Sequence, residues 1–247
     1  MSAPPRERTL PTGPVVRTER VSVRVRTRAL TATVVLLVAA VVLGALAMTL
    51  GDYQLSVGQV IGALTGSGSR AQEYVVLGLR APRVVLALVV GAALGVGGAV
   101  FQSLARNNLA SPDLLGFTTG AASGALIAIV LVGGGPAGTT IGAIAGTLVT
   151  AVVVQALLGG AVGGYRLVLV GIGVNAVLAA FNNFLILRTD LSTAVAAQSW
   201  LVGTLNGRGW TQVVAVAIAL AVLVPIAAAG SRRLDLLGMG DDAARGL

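Results

Sequence analysis

The chain has 247 residues, 55% of them hydrophobic and 11% charged, with a formal net charge of +8 and a mean hydropathy of +0.91. A soluble domain of this length shows more charge to water, so the composition places the chain among integral membrane proteins. All 17 basic residues are Arg, with no Lys, His or Cys. That excludes a Walker A phosphate loop, a Schiff base, a thiol nucleophile, a disulfide and the usual zinc site. No ATP hydrolysis, cofactor, metal centre or nucleic-acid partner is expected.

Residues 1–28 hold seven Arg against Glu7 and Glu19 and cannot bury a core, which predicts a flexible basic tail on the cytoplasmic side. Ala29 to Leu50 is the first apolar span, too long for a signal core and sufficient at ~1.5 Å per residue for the ~30 Å hydrocarbon layer. Five further spans are expected near 82–105, 114–134, 137–159, 166–188 and 210–230, separated by Gly-, Pro- or charge-bearing turns. The prediction is an all-α polytopic membrane helix bundle of about six transmembrane helices, with a transmembrane domain over 29–230 and a cytoplasmic segment over 231–247. Twelve of the 17 Arg then fall on the side of the N-terminus, which predicts that this side is cytoplasmic.

Between the first two spans the loop Gly51-Asp52-Tyr53-Gln54-Leu55-Ser56-Val57 leads to Arg80-Ala81-Pro82-Arg83. Two Arg three apart fall on one side of an incipient helix, and a guanidinium binds carboxylates in pairs. Anchoring at the membrane interface is the plainer account of the same residues. The apolar run to Phe101 is closed by Gln102-Ser103-Leu104-Ala105-Arg106-Asn107-Asn108-Leu109-Ala110-Ser111-Pro112-Asp113-Leu114-Leu115-Gly116, followed by Phe117-Thr118-Thr119-Gly120-Ala121.

Lipid does not dictate such a mouth, and the whole stretch resembles the FecCD-type permease subunits of iron-siderophore, haem and cobalamin ABC importers. Their motif runs LRxPR, an apolar helix, then RNPLAxPxLLGxxxGA. Asn108 stands where the family usually has Pro. The resemblance implies that Arg80 and Arg83 receive acidic residues of an extracytoplasmic substrate-binding protein.

Gly91 and Gly95, Gly116, Gly120 and Gly124, and Gly142 and Gly146 recur at four-residue spacing, which predicts close helix packing. Pro225 inside the last span predicts a kink. No Asp or Glu falls within the spans, which argues against a proton-coupled carrier. The buried polar residues are expected to be Thr118, Thr119, Gln155, Asn175, Asn182 and Asn183. Asn175 and Asn182, seven apart, share a helical face; they suit either interhelical hydrogen bonds or the wall of a translocation path.

Gly171-Ile172-Gly173-Val174-Asn175-Ala176 is similar to the family's GIAVNA-like run, and Trp200-Leu201-Val202-Gly203-Thr204-Leu205 to its WLxGS segment. The latter implies a short helix over Leu191 to Val202 at the outer mouth. Leu234 to Leu247 looks like the family's LNLLSLGEETARSLG and implies a coupling helix on a separate ATP-binding subunit, carried by Leu236, Leu237, Gly238, Asp241, Asp242 and Arg245. Family members usually continue through about four more helices, so the transporter implied here is expected to be C-terminally truncated. A second permease subunit, identical or different, completes the expected assembly. The expected function is a permease subunit of a binding-protein-dependent ABC importer of ferric siderophore. Haem or cobalamin import and a non-conducting membrane scaffold are the alternatives.

Overall fold

A computed structural model describes residues 15–18, 21–24, 27–105, 107, 111–159 and 164–238. The backbone divides into two compact units at Val84 and Val85.

In the first unit, β1 (Val15–Thr18) pairs antiparallel with β2 (Val21–Arg24), Val15 opposite Arg24 and Thr18 opposite Val21. The basic tail expected from the sequence thus contains a short two-stranded ladder. The Val-rich runs VVRT and VSVR suit extended backbone.

Helix α1 (Thr27–Thr49) is 23 residues long with no buried residue. An apolar helix exposed all round finds its solvent in lipid. Helix α2 (Val57–Leu64) starts at a capping box: the Gln59 amide donates to Ser56 Oγ at 3.3 Å, and the Ser56 amide donates to Gln59 Oε1 at 2.8 Å. Val60 and Ala63 pack with Leu55 and Val76, while Val57, Ile61 and Leu64 stay exposed.

A second capping box, Ser69 with Gln72, starts α3 (Arg70–Glu73). The helix continues through a π-helical stretch over Tyr74–Arg80 into α4 (Ala81–Ala105), 36 helical residues in all. The widening has a cause in the sequence. Pro82 has no amide hydrogen, and in a regular α-helix its ring would meet the carbonyl four residues back. Opening the preceding turns, so that the Ala81 amide reaches the Val76 carbonyl, admits the ring without ending the helix.

The second unit is built around a short helix. A 3₁₀ turn over Pro112–Leu115 ends at Gly116, whose φ of 77° is the left-handed conformation that favours glycine, and α5 (Phe117–Leu126) follows. Its ten residues pass into five π-helical ones over Ile127–Leu131. At 1.5 Å per residue this is about 22 Å, short of the ~30 Å hydrocarbon layer. The expected third span therefore differs from the others: the chain spends its first residues in the Pro112–Gly116 turn. Irregular backbone at membrane depth is tolerated where protein buries it, and Leu115, Gly116, Gly120, Ser123, Gly124, Ala125 and Leu126 are all buried.

Beyond it lie α6 (Pro136–Leu158), α7 (Gly164–Arg188), α8 (Leu191–Val202) and α9 (Trp210–Gly238). Five described helices are long and apolar enough to cross a membrane: α1, the run containing α4, α6, α7 and α9. The polytopic helix bundle expected from the sequence is therefore the observed fold, with five such helices where about six spans are expected. Helix α8 has the bounds expected of the short helix. Helix α9 runs past Pro225 and past the expected end at residue 230, to Gly238.

Phe101, Leu115, Val154, Leu158 and Leu167 form one core cluster of this unit, and Leu126, Leu185 and Ala197 another. Between them α5 lies against α6 backbone to backbone. A Cβ on Gly120 would overlap Thr150 Oγ1 and come within 3.1 Å of the Gly146 carbonyl; one on Gly124 would overlap the Gly142 carbonyl. This is the close packing that the four-residue spacing predicts. Around the Cβ positions of Gly91 and Gly95, by contrast, the described residues place no atom within 4 Å apart from the helix's own adjoining backbone.

Candidate functional site

The residues singled out by the sequence fall in three places. The first is the loop between α1 and α2. Arg80, the last residue of the π-helical stretch, is only 8% exposed. Its guanidinium donates to the Met48 carbonyl at 2.7 Å and to the Tyr53 carbonyl. Met48 lies in the last turn of α1, where carbonyls have no intrahelical partner and carry the negative end of the helix dipole. Arg83, three residues on, is exposed. The Arg pair expected to present two cations together is thus split, one side chain buried and one exposed.

The second place is the contact of α5 with α7. Thr119 Oγ1 donates to Asn175 Oδ1, and Asn182 Nδ2 donates to the Thr119 carbonyl at 3.3 Å. Asn175 and Asn182 do share a face of α7, and both reach Thr119 of α5 from it. Asn182 is 6% exposed, and among the described residues its Oδ1 has no hydrogen-bond partner. Gly116 and Gly171 make the approach possible. A Cβ on Gly116 would stand 3.3 Å from the backbone of Asn175, and one on Gly171 would stand 2.9 Å from Leu115 Cα. The other polar residues expected to be buried are not: Thr118, Gln155 and Asn183 are exposed, and Thr118 Oγ1 donates to Asp113. The sequence offers no signal that Thr119 serves both Asn; a hydroxyl and a carbonyl of one residue meet them only because α5 is short and glycine-lined.

The third place is the end of α9. Leu236, Leu237 and Gly238 are its last residues, and Asp241, Asp242 and Arg245 lie outside the described residues.

Two apolar grooves mark the second unit. One of about 530 Å³ runs between α4 and α9, past Val96, Gly97, Phe101, Leu220 and Val224. Another of about 630 Å³ lies between α6 and α7, lined by Leu157, Leu169, Gly173 and Val177 with Arg166 at one end. Neither contains Asn175 or Asn182.

Among the described residues, one ionisable group outside the long helices is clearly perturbed. The Ser192 hydroxyl and then the Thr193 amide, at 2.9 Å, hold the Asp190 carboxyl well below the usual carboxylate range. Asp190 is the N-cap of α8.

Residues 32–247 match the FecCD transport family, a stretch that contains all the helices but the first turns of α1. The chain belongs to that family. Among FecCD relatives, the ferric enterobactin transport system permease protein FepG of Escherichia coli (strain K12) is 44% identical over 219 residues, covering 88% of this chain and 66% of FepG. The achromobactin transport system permease protein CbrC of Dickeya dadantii (strain 3937) is 35% identical, over 86% of this chain and 61% of CbrC. A metal-chelate type ABC transporter solved in an inward-facing conformation superposes with a TM-score of 0.75 at 26% identity, covering 90% of this chain and 68% of that one. The chain thus spans somewhat less than two thirds of the length of FepG and CbrC.

Proposed function

We propose that this FecCD chain is a transmembrane permease subunit of an ATP-driven, binding-protein-dependent importer, and that its cargo is a ferric siderophore. The observation that carries this reading is the 44% identity to a ferric enterobactin permease across 88% of the chain. Hydrolysis belongs to a separate ATP-binding subunit, since a chain without Lys has no phosphate loop of the Walker type. In this reading the segment from Leu234 through Asp241, Asp242 and Arg245 meets that subunit. A second permease subunit, identical or different, faces this one across the pathway. In this reading the chain lies in the inner membrane and the 112–131 segment, turn and short helix together, still carries it across as the third of six passes, so that the N-terminus and the 231–247 segment both face the cytoplasm; the Arg distribution supports that orientation. Arg83 supplies a cation for an acidic residue of the extracytoplasmic binding protein.

For such a carrier the α5–α6 block is suited to move as one body, because two backbones in contact have no side chains between them to rearrange. Asn175 and Asn182 then bear on the pathway through the position of α5. The deciding experiment supplies the chain with its ATP-binding subunit and binding protein in proteoliposomes and follows radiolabelled iron presented as a catecholate siderophore. ATP-dependent accumulation is expected. Accumulation of labelled haem or cobalamin in its place overturns the cargo, and a bound ATPase with no uptake of any of them overturns the permease reading in favour of a scaffold.

A further inference from the structure

The residue that the sequence offers as a docking cation has a different environment from its neighbour. Arg80 is buried, and no salt bridge engages it among the described residues; its guanidinium bonds two backbone carbonyls, Met48 and Tyr53, on either side of a tight loop. Helix α1 has no basic residue in its own last turn. A cation is favourable at that end, where orphan carbonyls concentrate negative partial charge. Arg80 supplies it from a different helix. The planar guanidinium suits the task, since separate N–H groups of one fork can reach two carbonyls that a single ammonium would serve poorly.

Two further features fit the loop to this side chain. Gly51 has φ of 141°, and a Cβ there would lie 2.8 Å from Arg80 Nη2 and 3.4 Å from its Cζ, so the guanidinium rests against a position with room only for hydrogen. The π-helical stretch ends at Arg80 itself, just before Pro82, and carries its side chain inward while Arg83 stays exposed. The loop held in this way contains Asp52 and Tyr53, both exposed, and runs into the Ser56 cap of α2.

We propose that Arg80 is a positioning residue: it caps the carboxyl end of α1 and clamps the 50–56 loop in one conformation, so that the surface offered to a binding protein is this loop together with Arg83, and Arg80 acts on docking only through the loop. The identity of the partner rests on the permease reading above. The clamp does not, and its test needs no partner.

The test is amide hydrogen exchange of the full chain in nanodiscs, read at the Leu50 and Leu55 amides, which donate to the carbonyls of Leu46 at 3.1 Å and Thr49 at 3.3 Å. Arg80→Gln should speed exchange at both by about tenfold or more, the scale of losing hydrogen bonds from a charged donor. Arg80→Lys should restore part of the protection, and Arg83→Gln should leave it as in the parent. Should Arg80→Gln fail to insert, Gly51→Ala displaces the guanidinium without removing its charge and should loosen the same two amides. Unchanged exchange in inserted Arg80→Gln, or in Gly51→Ala where that variant is the one read, overturns the clamp. Separately, binding-protein association should fall on Arg83→Glu with the loop still protected, and on Arg80→Gln only with the loop loosened. Loss of association on Arg80→Gln with full protection would make Arg80 a direct docking cation, whereas an absent partner in the parent would sink the permease reading and leave the exchange result standing.

Discussion

Glycines four apart occur on α4 and on α5, and the two helices use them in opposite ways. On α5, Gly120 and Gly124 lie against Gly142 and Gly146 of α6 so closely that any side chain would overlap a carbonyl or a hydroxyl. On α4, Gly91 and Gly95 have open space where a side chain would begin. The spacing is necessary for such a contact, because it lines small residues on one face, but it does not decide that a partner helix comes to that face. A partner reaches α5 because α5 is short and entered through the Pro112–Gly116 turn, which places it inside the protein. Helix α4 is long enough to span lipid by itself.

The largest expected effect breaks the α5 contact. Gly124→Val should cost at least about 3 kcal/mol, beyond ordinary overpacking because the obstacle is backbone that cannot repack. Thermal unfolding of the protein in detergent would measure it, with membrane insertion unchanged. Next is the polar contact of the same helix with α7. Asn175→Leu takes away the acceptor of the Thr119 hydroxyl and should cost about 1 kcal/mol. Asn182→Leu should cost less, because it removes an unpartnered Oδ1 together with one hydrogen bond. The two variants compared by the same unfolding assay would sharpen which Asn holds α5.

On the other side of the comparison, Gly91→Ala and Gly95→Ala should be neutral or stabilise by up to about 1 kcal/mol each, since Ala is the better helix former and meets no atom. A loss as large as that of Gly124→Val would show that the Gly91/Gly95 face of α4 has a partner after all.

The smallest effect concerns pH and α8. The folded Asp190 carboxyl titrates below its ordinary value of 3.8, so its cap contributes fully above that value and fades as pH falls beneath it. Amide exchange at Thr193 should therefore accelerate on acidification below about pH 4 relative to neighbouring amides, after correction for intrinsic rates. Asp190→Asn should remove that pH dependence.

Composition alone determined the lipid-embedded helical class, because 55% hydrophobic residues and 11% charge leave a chain of 247 residues no other solvent. Apolar run length located α1, α4, α6, α7 and α9, since a helix must satisfy its own backbone to cross hydrocarbon. The 102–121 motif was likewise enough to point to the family.

What the sequence could not determine was where each marked side chain turns. Arg80 and Arg83 look equivalent at i and i+3; Pro82 opens the helix before it, and one guanidinium goes to the end of α1 while the other is exposed. Asn175 and Asn182 share a face by their period alone, but the occupant of that face is α5, brought there by Gly116 and Gly171. The third span reads as apolar as its neighbours, and only tertiary packing made it a short buried helix. Hydropathy records what lipid tolerates, whereas the choice between lipid and another helix depends on a partner far away in the chain.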